Sequence, residues 1–194
     1  QSFVLISNEG TDGTVTAVHA ASLRNKLLQC ASGAVYTEDG AYSVLDQARY
    51  ELVLELINQY QHSIVFFNWR HQRDQLVEAL ERQGTTFAVI DGGTSDTVRN
   101  SIVSEYQRGA YKTILLHPRT GAHGLTLTRG EACILASPIY EADLLKQAIH
   151  RIYRGSQDKA TNTILVQARA TVEDLVYARL NQSVRNMNDF LQLA

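Results

Sequence analysis

The most chemically suggestive residues are three polar side chains in the segment from 147 to 157. Gln147, Arg151 and Arg154 stand at positions i, i+4 and i+7, so on an α-helix their side chains would share one face. Two guanidinium groups beside an amide can grip a polyphosphate, because arginine stays charged and presents a planar fork to phosphate oxygens. A solvated basic helix face has the same spacing, so the spacing alone does not decide between the two.

The pattern of apolar and polar residues after His62 predicts the strands and helices that must position these side chains. Short β-branched runs alternate there with amphipathic segments: SIVFF, HQRDQLVEALERQG, TTFAVI, TSDTVRNSIVSEYQRG, KTILLH, EACILAS, a helix over 141–153, NTILVQA and a final helix from about 171. This alternation predicts an α/β fold, a doubly wound and largely parallel sheet with helices on both faces. Ligands gather at the carboxyl ends of such strands, so functional loops are expected near Pro118 and Pro138.

The first 60 residues predict a short helical extension to this sheet. Residues 1–13 are expected to form a strand remnant and a loop, and residues 15–32 a helix with apolar positions at helical spacing. A small hairpin around an Asp-Gly turn is predicted within 33–43, followed by a helix over about 44–60. We therefore divide the chain into a lead-in, 1–60, packed on an α/β domain, 61–194.

Composition excludes several classes of protein. The chain has 194 residues and a formal charge of −2, which argues against holding DNA by bulk electrostatics, so any nucleic-acid contact must be local. Cys30 and Cys133 form no CxxC, and neither a disulfide framework nor a metal site is expected. No apolar run approaches the roughly 20 residues of a membrane helix. The only methionine is Met187, so we expect a fragment of a longer protein.

The segment 147–157 and four further segments resemble segments of a known family, and they occur in the family's order. The matching segments are LLQCASGAVYTEDG (27–40), HSIVFFNW (62–69), DGGT (91–94) followed by Arg99, TILLHPRTGAHGLTLT (113–128) and QAIHRIYRGSQ (147–157). The last resembles the sixth helicase motif of Swi/Snf-type ATPases, and the first resembles the lead-in of phage and prophage members. The chain as a whole resembles the carboxyl-terminal RecA-like lobe of these superfamily-two helicases.

The resemblance implies a nucleotide-facing set of residues. Arg151 and Arg154 would reach across a cleft to the γ-phosphate of ATP, with Arg154 as the arginine finger. The other residues on the nucleotide side would be Gln147, Gly121, Gly124 and Gln157. ATP and Mg²⁺ would be bound mainly by an N-terminal RecA-like lobe of the same protein. No GxxxxGK[ST] and no acidic DEAD-like cluster occurs in the chain, so the isolated chain is expected to be inactive.

The resemblance also implies contacts with DNA. The residues at positions where the family approaches the DNA backbone are Asn68, Arg70, Thr94, Arg99, Arg119 and Thr120. Trp69 could stack on a base or pack inside the domain, and both remain open. DNA and the N-terminal lobe are the expected partners, with no membrane. The expected location is the cytoplasm of a bacterial or phage-infected cell, with nucleoid DNA.

Departures from the family pattern lie in the loops, where Ala122 replaces a glycine, Thr126 an asparagine, and 138–140 a proline followed by tryptophans. The function expected is the second motor lobe of a DNA-dependent ATPase, with the sixth motif favouring a translocase over a strand-separating helicase. The alternative is a non-catalytic helicase-like scaffold that binds DNA or protein. A dinucleotide-dependent enzyme is disfavoured, because no glycine cluster follows the strand SIVFF.

Overall fold

A computed structural model of the chain shows how these segments are arranged. It describes residues 2–8, 11–17, 20–121, 125–141, 143–145, 147, 161–180 and 182. Among these residues no helix combines the length and apolar character needed to cross a bilayer.

The described strands form two hairpins and one larger sheet. They are β1 (Ser2–Asn8), β2 (Thr11–Ala17), β3 (Ala34–Tyr36), β4 (Tyr42–Val44), β5 (Ser63–Phe66), β6 (Phe87–Ile90), β7 (Thr113–Leu116), β8 (Ala132–Leu135) and β9 (Asn162–Leu165). The larger sheet has the order β6-β7-β5-β8-β9 and all of its pairings are parallel. Ser63 of β5 is in register with Thr113 of β7 and with Ala132 of β8, so β5 is the central strand.

Helices cover both faces of this sheet. They are α1 (Ala20–Ala31), α2 (Ala48–Gln59), α3 (Arg70–Arg82), α4 (Asp96–Arg108), α5 (Pro118–Gly121) and α6 (172–180). Ile64 and Phe66 pack on one face with Tyr106 of α4, whereas Val65 packs on the other face with residues of α2 and α3. All residues of β5, β7 and β8 are buried, as expected for a parallel sheet covered on both sides. The predicted doubly wound fold is confirmed.

Local sequence explains where α4 begins and ends. The Ser95 hydroxyl accepts a hydrogen bond from the Val98 N–H at 3.4 Å, which satisfies one of the helix's free amide groups. Gly109 then ends the helix in the left-handed region with φ of 88°, where a residue without a side chain is favoured. These two features fix the ends of α4. The turn that connects β6 to α4 lies at the carboxyl end of the strand.

The lead-in corrects two predicted boundaries. The predicted helix over 15–32 begins only at Ala20, because Thr11–Ala17 pairs antiparallel with Ser2–Asn8 as β2. The segment TDGTVTA is rich in β-branched residues, which favour a strand. The predicted helix from 44 begins at Ala48, because Val44 is still the last residue of β4 and residues 45–47 connect the strand to the helix. The small predicted hairpin, now β3 and β4, is confirmed.

The later predicted elements agree with the structure where it describes them. Residues 143–145 and 147 of the helix predicted over 141–153 are helical, and 148–153 lie outside the described residues. The final helix is confirmed as α6. The division of the chain at residue 60 stays a prediction.

A buried ion pair joins α2 to α6. Arg49 Nη2 lies 2.8 Å from a carboxylate oxygen of Glu173, and the two side chains are 6% and 0% exposed. The same guanidinium donates hydrogen bonds to the carbonyl oxygens of Ala31, Ala136 and Val166. One side chain therefore connects α1 and α2 to the ends of β8 and β9.

Candidate nucleotide and nucleic-acid interface

The loops that follow β5, β7 and β8 meet at one cavity at the carboxyl end of the sheet. Its volume is about 310 Å³. Side chains that line it include Asn68, Trp69, His117, Arg119, Tyr140 and Glu141. This is where a doubly wound sheet binds its ligands, because successive strands deliver their loops to the same edge.

Gln72, on the first turn of α3, organises the loop after β5. Its Oε1 accepts hydrogen bonds from the backbone N–H groups of Asn68 at 3.0 Å and Trp69 at 3.2 Å. The hydroxyl of Ser137, which follows β8, donates to the same oxygen at 3.3 Å. Gln72 is fully buried, so a single amide oxygen joins the ends of two adjacent strands.

The side chain of Asn68 completes this arrangement. Its Nδ2 donates to the Ser137 hydroxyl at 3.0 Å and to the carbonyl of Pro138 at 2.6 Å. Asn68 therefore lies at the cavity, as a ligand-contacting residue should, but both of its amide hydrogens are directed at the loop after β8.

Trp69 packs within the domain while one side of its ring lines the cavity. Its ring lies nearly parallel to the imidazole of His71, at an interplanar angle of 10° and a centroid distance of 6.3 Å. Its centroid is 6.5 Å from that of Tyr140. These contacts favour the packing interpretation of this tryptophan.

His71 is held neutral beneath this site. The Tyr50 hydroxyl donates its only proton to the Ser32 carbonyl at 3.1 Å, so it accepts from His71 Nδ1, 3.0 Å away. Burial, with a smaller contribution from the positive charge of Arg49, lowers the pKa of His71 to about 4. The imidazole therefore acts as a neutral donor at physiological pH.

The loop after β7 supplies the cavity's exposed charge. Arg119 is 73% exposed and its guanidinium lies 2.8 Å from a carboxylate oxygen of Glu141. Thr120 is buried, and its N–H donates to the carbonyl of His117 at 3.0 Å. Burial and the positive charge of Arg119 both lower the pKa of His117. Arg119 is thus free to exchange its exposed carboxylate partner for a phosphate, since an exposed ion pair contributes little energy.

The predicted Asp-Gly-x-Thr turn follows β6 at the same edge of the sheet. The Thr94 hydroxyl accepts from the N–H of Asp91 at 3.0 Å, and the Gly93 N–H donates to the Asp91 carboxylate at 3.0 Å. Arg73 of α3 is 2.8 Å from that carboxylate. Burial raises the pKa of Asp91, but the hydrogen bonds from Arg73 and Gly93 outweigh it and hold the pKa below its usual range. Arg99 pairs with Asp96 at 2.6 Å.

Arg70 is engaged elsewhere, with the β3–β4 hairpin. Its guanidinium donates to the Gly40 carbonyl at 2.7 Å and lies 5.6 Å from the ring centroid of Tyr36. Of the six residues predicted to contact DNA, Arg70 is the one whose side chain is held by the lead-in.

The predicted nucleotide-facing residues are only partly described. Gln147 is exposed and has helical backbone geometry, and Gly121 is the last residue of α5. Gly124, Arg151, Arg154 and Gln157 lie outside the described residues. In the part of the chain that is described, no group of three His, Cys, Asp or Glu side chains could hold a metal ion.

Sequence reasoning did not identify Gln72 or Ser137. The available signal was a glutamine three positions after the residue that precedes α3, because a side chain there can reach back to the first amide groups of a helix. Ser137 offered no comparable signal, since its partner is far away in the sequence.

Comparisons with known proteins define the class. A crystal structure of the C-terminal part of the Fun30 ATPase domain superposes with a TM-score of 0.63 and 18% identity, covering 67% of this chain and 44% of that one. This likeness defines a RecA-like α/β fold. The sequence matches the helicase conserved C-terminal domain over residues 48–156. The chain therefore belongs to the helicase C-terminal domain family.

Curated relatives confirm the resemblance to Swi/Snf-type proteins. Protein CHROMATIN REMODELING 24 of Arabidopsis thaliana is 27% identical over 176 residues, covering 88% of this chain and 16% of the relative. A SWI/SNF-related regulator of chromatin, subfamily A-like protein 1, of Xenopus tropicalis is 25% identical, covering 74% and 16%. Putative protein p41 of Acyrthosiphon pisum secondary endosymbiont phage 1 is 23% identical, covering 93% and 39%. The chain thus spans between 16% and 39% of the length of these three relatives.

Proposed function

We propose that the chain is the second motor lobe of a DNA-dependent ATPase of the Swi/Snf type. The observation that carries the proposal is the family match over residues 48–156, which contains both proposed arginines and the loops that meet at the cavity. Residues 1–60 would form the lead-in of this lobe and 61–194 its RecA-like domain. The protein would work in the cytoplasm of a bacterial or phage-infected cell, on nucleoid DNA.

In this proposal Arg151 and Arg154 neutralise charge that develops on the phosphates during hydrolysis. An arginine suits this role because its charge is permanent and its donors are fixed in a plane. Gln147, Gly121, Gly124 and Gln157 would line the nucleotide side of the cleft. ATP and Mg²⁺ would be held mainly by an N-terminal lobe of the same protein, which is one proposed partner, and hydrolysis of the ATP would supply the energy.

DNA would approach the carboxyl edge of the sheet. The exposed Arg119 supports this, as do the turn around Thr94 with the neighbouring Arg99, because backbone amides and arginines at loop ends are common phosphate ligands. Asn68 and Thr120 are proposed to shape this surface, together with Arg70 at its border with the hairpin.

The decisive experiment is Arg154→Ala in the full-length protein. We expect DNA-stimulated ATP hydrolysis to fall by roughly 10³ to 10⁵-fold, while ATP binding persists, because the finger acts on the transition state. Arg82→Ala, at an exposed arginine of α3, is the matched control and should hydrolyse ATP at the normal rate. Unchanged turnover in Arg154→Ala would refute the finger assignment.

A comparison of the isolated chain with the full-length protein separates this proposal from the scaffold alternative. Hydrolysis by the full-length protein alone supports the divided site. DNA or protein binding without hydrolysis in either would favour a scaffold, and hydrolysis by the isolated chain would contradict both.

A further inference from the structure

We propose that Gln72 is a positioning residue that couples DNA binding to ATP hydrolysis, by joining the loop that would contact DNA to the loop that leads to the proposed arginines. This inference rests on the proposed function and adds the route by which the two tasks communicate. The two loops leave adjacent parallel strands, β5 and β8, at the same edge of the sheet.

The hydrogen bonds around Gln72 connect the two loops to one another. Three donors converge on one buried amide oxygen, and two of them are the backbone N–H groups of Asn68 and Trp69. The third is the Ser137 hydroxyl, which also accepts from Asn68 Nδ2. The hydrogen bonds therefore form a closed ring, so a shift of either loop breaks at least one of them.

The hydrogen bonds of the Gln72 side chain are directed at these two loops. The Gln72 amide nitrogen is buried and has no hydrogen-bond partner among the described residues. The hydrogen bonding seen for this side chain is thus directed entirely at the two loops. Ordinary helix capping would need only the bonds to Asn68 and Trp69, whereas the bond to Ser137 connects the second loop.

Each of the two loops has a task in the proposed mechanism. Asn68 lines the cavity where DNA is proposed to approach. In the chain, Ser137 and Pro138 begin the connection from β8 that leads to Gln147, Arg151 and Arg154. A displacement of the first loop on DNA binding would be transmitted to the start of the second within a single hydrogen-bonded ring.

The test measures, in the full-length protein, the ratio of DNA-stimulated to DNA-independent ATP hydrolysis. Gln72→Met keeps the length and volume of the side chain but removes the acceptor. We expect the ratio to fall about 3- to 30-fold, the range found for residues that carry coupling between sites. Gln83→Met, at the exposed end of the same helix, is the matched control and should keep the normal ratio.

Two further variants separate coupling from a loss of folding. Gln72→Glu keeps acceptor oxygens at the same place and should retain most of the stimulation. Ser137→Ala should lower the ratio by itself, and in combination with Gln72→Met should lower it no further, because both remove the same ring. If Gln72→Met fails to fold, Ser137→Ala decides the question.

The outcomes distinguish this inference from the proposed function. A normal ratio in folded Gln72→Met, or in Ser137→Ala where that variant decides, overturns the coupling role, as do independent effects of the two changes. If the unmodified full-length protein shows no DNA-stimulated hydrolysis, the proposed function itself fails and the coupling role fails with it.

Discussion

Two buried polar networks meet at the end of β8, and they differ in kind. Ser137 belongs to the neutral ring around Gln72, whereas the preceding residue, Ala136, receives a hydrogen bond from the charged Arg49. Burial raises the pKa of Glu173 even though Arg49 is beside it, so the cost of removing this carboxylate from water exceeds the attraction of its partner. Removal of one partner of the ion pair should therefore be costly, although the intact pair contributes little net stability compared with apolar side chains. The neutral ring is weaker, but it fixes orientation at low cost.

Breaking the charged network should have the largest effect on stability. Glu173→Leu removes the carboxylate and leaves the buried Arg49 without its counter-charge and without its hydrogen-bond acceptor on α6. We expect the free energy of unfolding to fall by about 3–5 kcal/mol, as measured by urea denaturation at neutral pH. Glu55→Leu, at an exposed position of α2, is the control. A loss no larger than in this control would contradict the role given to the ion pair.

Acidification should change the stability of the protein in opposite directions through His71 and through Glu173. His71 has a folded pKa of about 4, below the usual 6.5, so protons bind more tightly to the unfolded chain. Its contribution to stability is fully present above pH 6.5 and is lost as the pH falls through 4, by about 3 kcal/mol. The raised pKa of Glu173 acts in the opposite direction, because stability is lost as the pH rises through its folded pKa.

The measurement is urea denaturation at a series of pH values from 7 to 4. His71→Phe removes the titrating group while keeping an aromatic ring, and its stability should decline less on acidification than that of the unmodified chain. Parallel declines would show that His71 does not titrate in this range.

Removing the neutral acceptor should have a smaller effect. Gln72→Met leaves the N–H groups of Asn68 and Trp69 without their acceptor, and we expect a loss of about 1–2 kcal/mol in the free energy of unfolding. Thermal denaturation of Gln72→Met and of the control variant Gln83→Met measures this loss of stability. A loss as large as that of Glu173→Leu would remove the distinction between the two networks.

Replacing both members of the ion pair should have the smallest effect. In the double variant Arg49→Met, Glu173→Leu no charge remains buried, so stability should stay within about 1 kcal/mol of the unmodified chain. The double-mutant cycle with the single variants gives the interaction energy. A double variant as unstable as Glu173→Leu would show that the pair is net stabilising.

The parallel sheet was accessible from sequence because β5, β7 and β8 are short apolar runs separated by amphipathic helices. The β1–β2 hairpin was missed, since the helical spacing of apolar residues after Val15 overlapped a strand-favouring segment. Arg49 and Gln72 were missed for a different reason. Each looks like an ordinary polar residue of a surface helix. The partners that hold Arg49 in the interior, and the partner that connects Gln72 to the second loop, lie far away in the sequence.

The position of β5 at the centre of the sheet has a consequence for the order of folding. During synthesis β5 is made before both strands that flank it, so its edges stay unpaired until Thr113 and then Ala132 have been added. The partners available earlier are α2 and α3, which pack on the Val65 side of the strand and are close in sequence. Local contacts form with the least loss of chain entropy. The nascent protein therefore shelters one face of its central strand while the edges of that strand are still open.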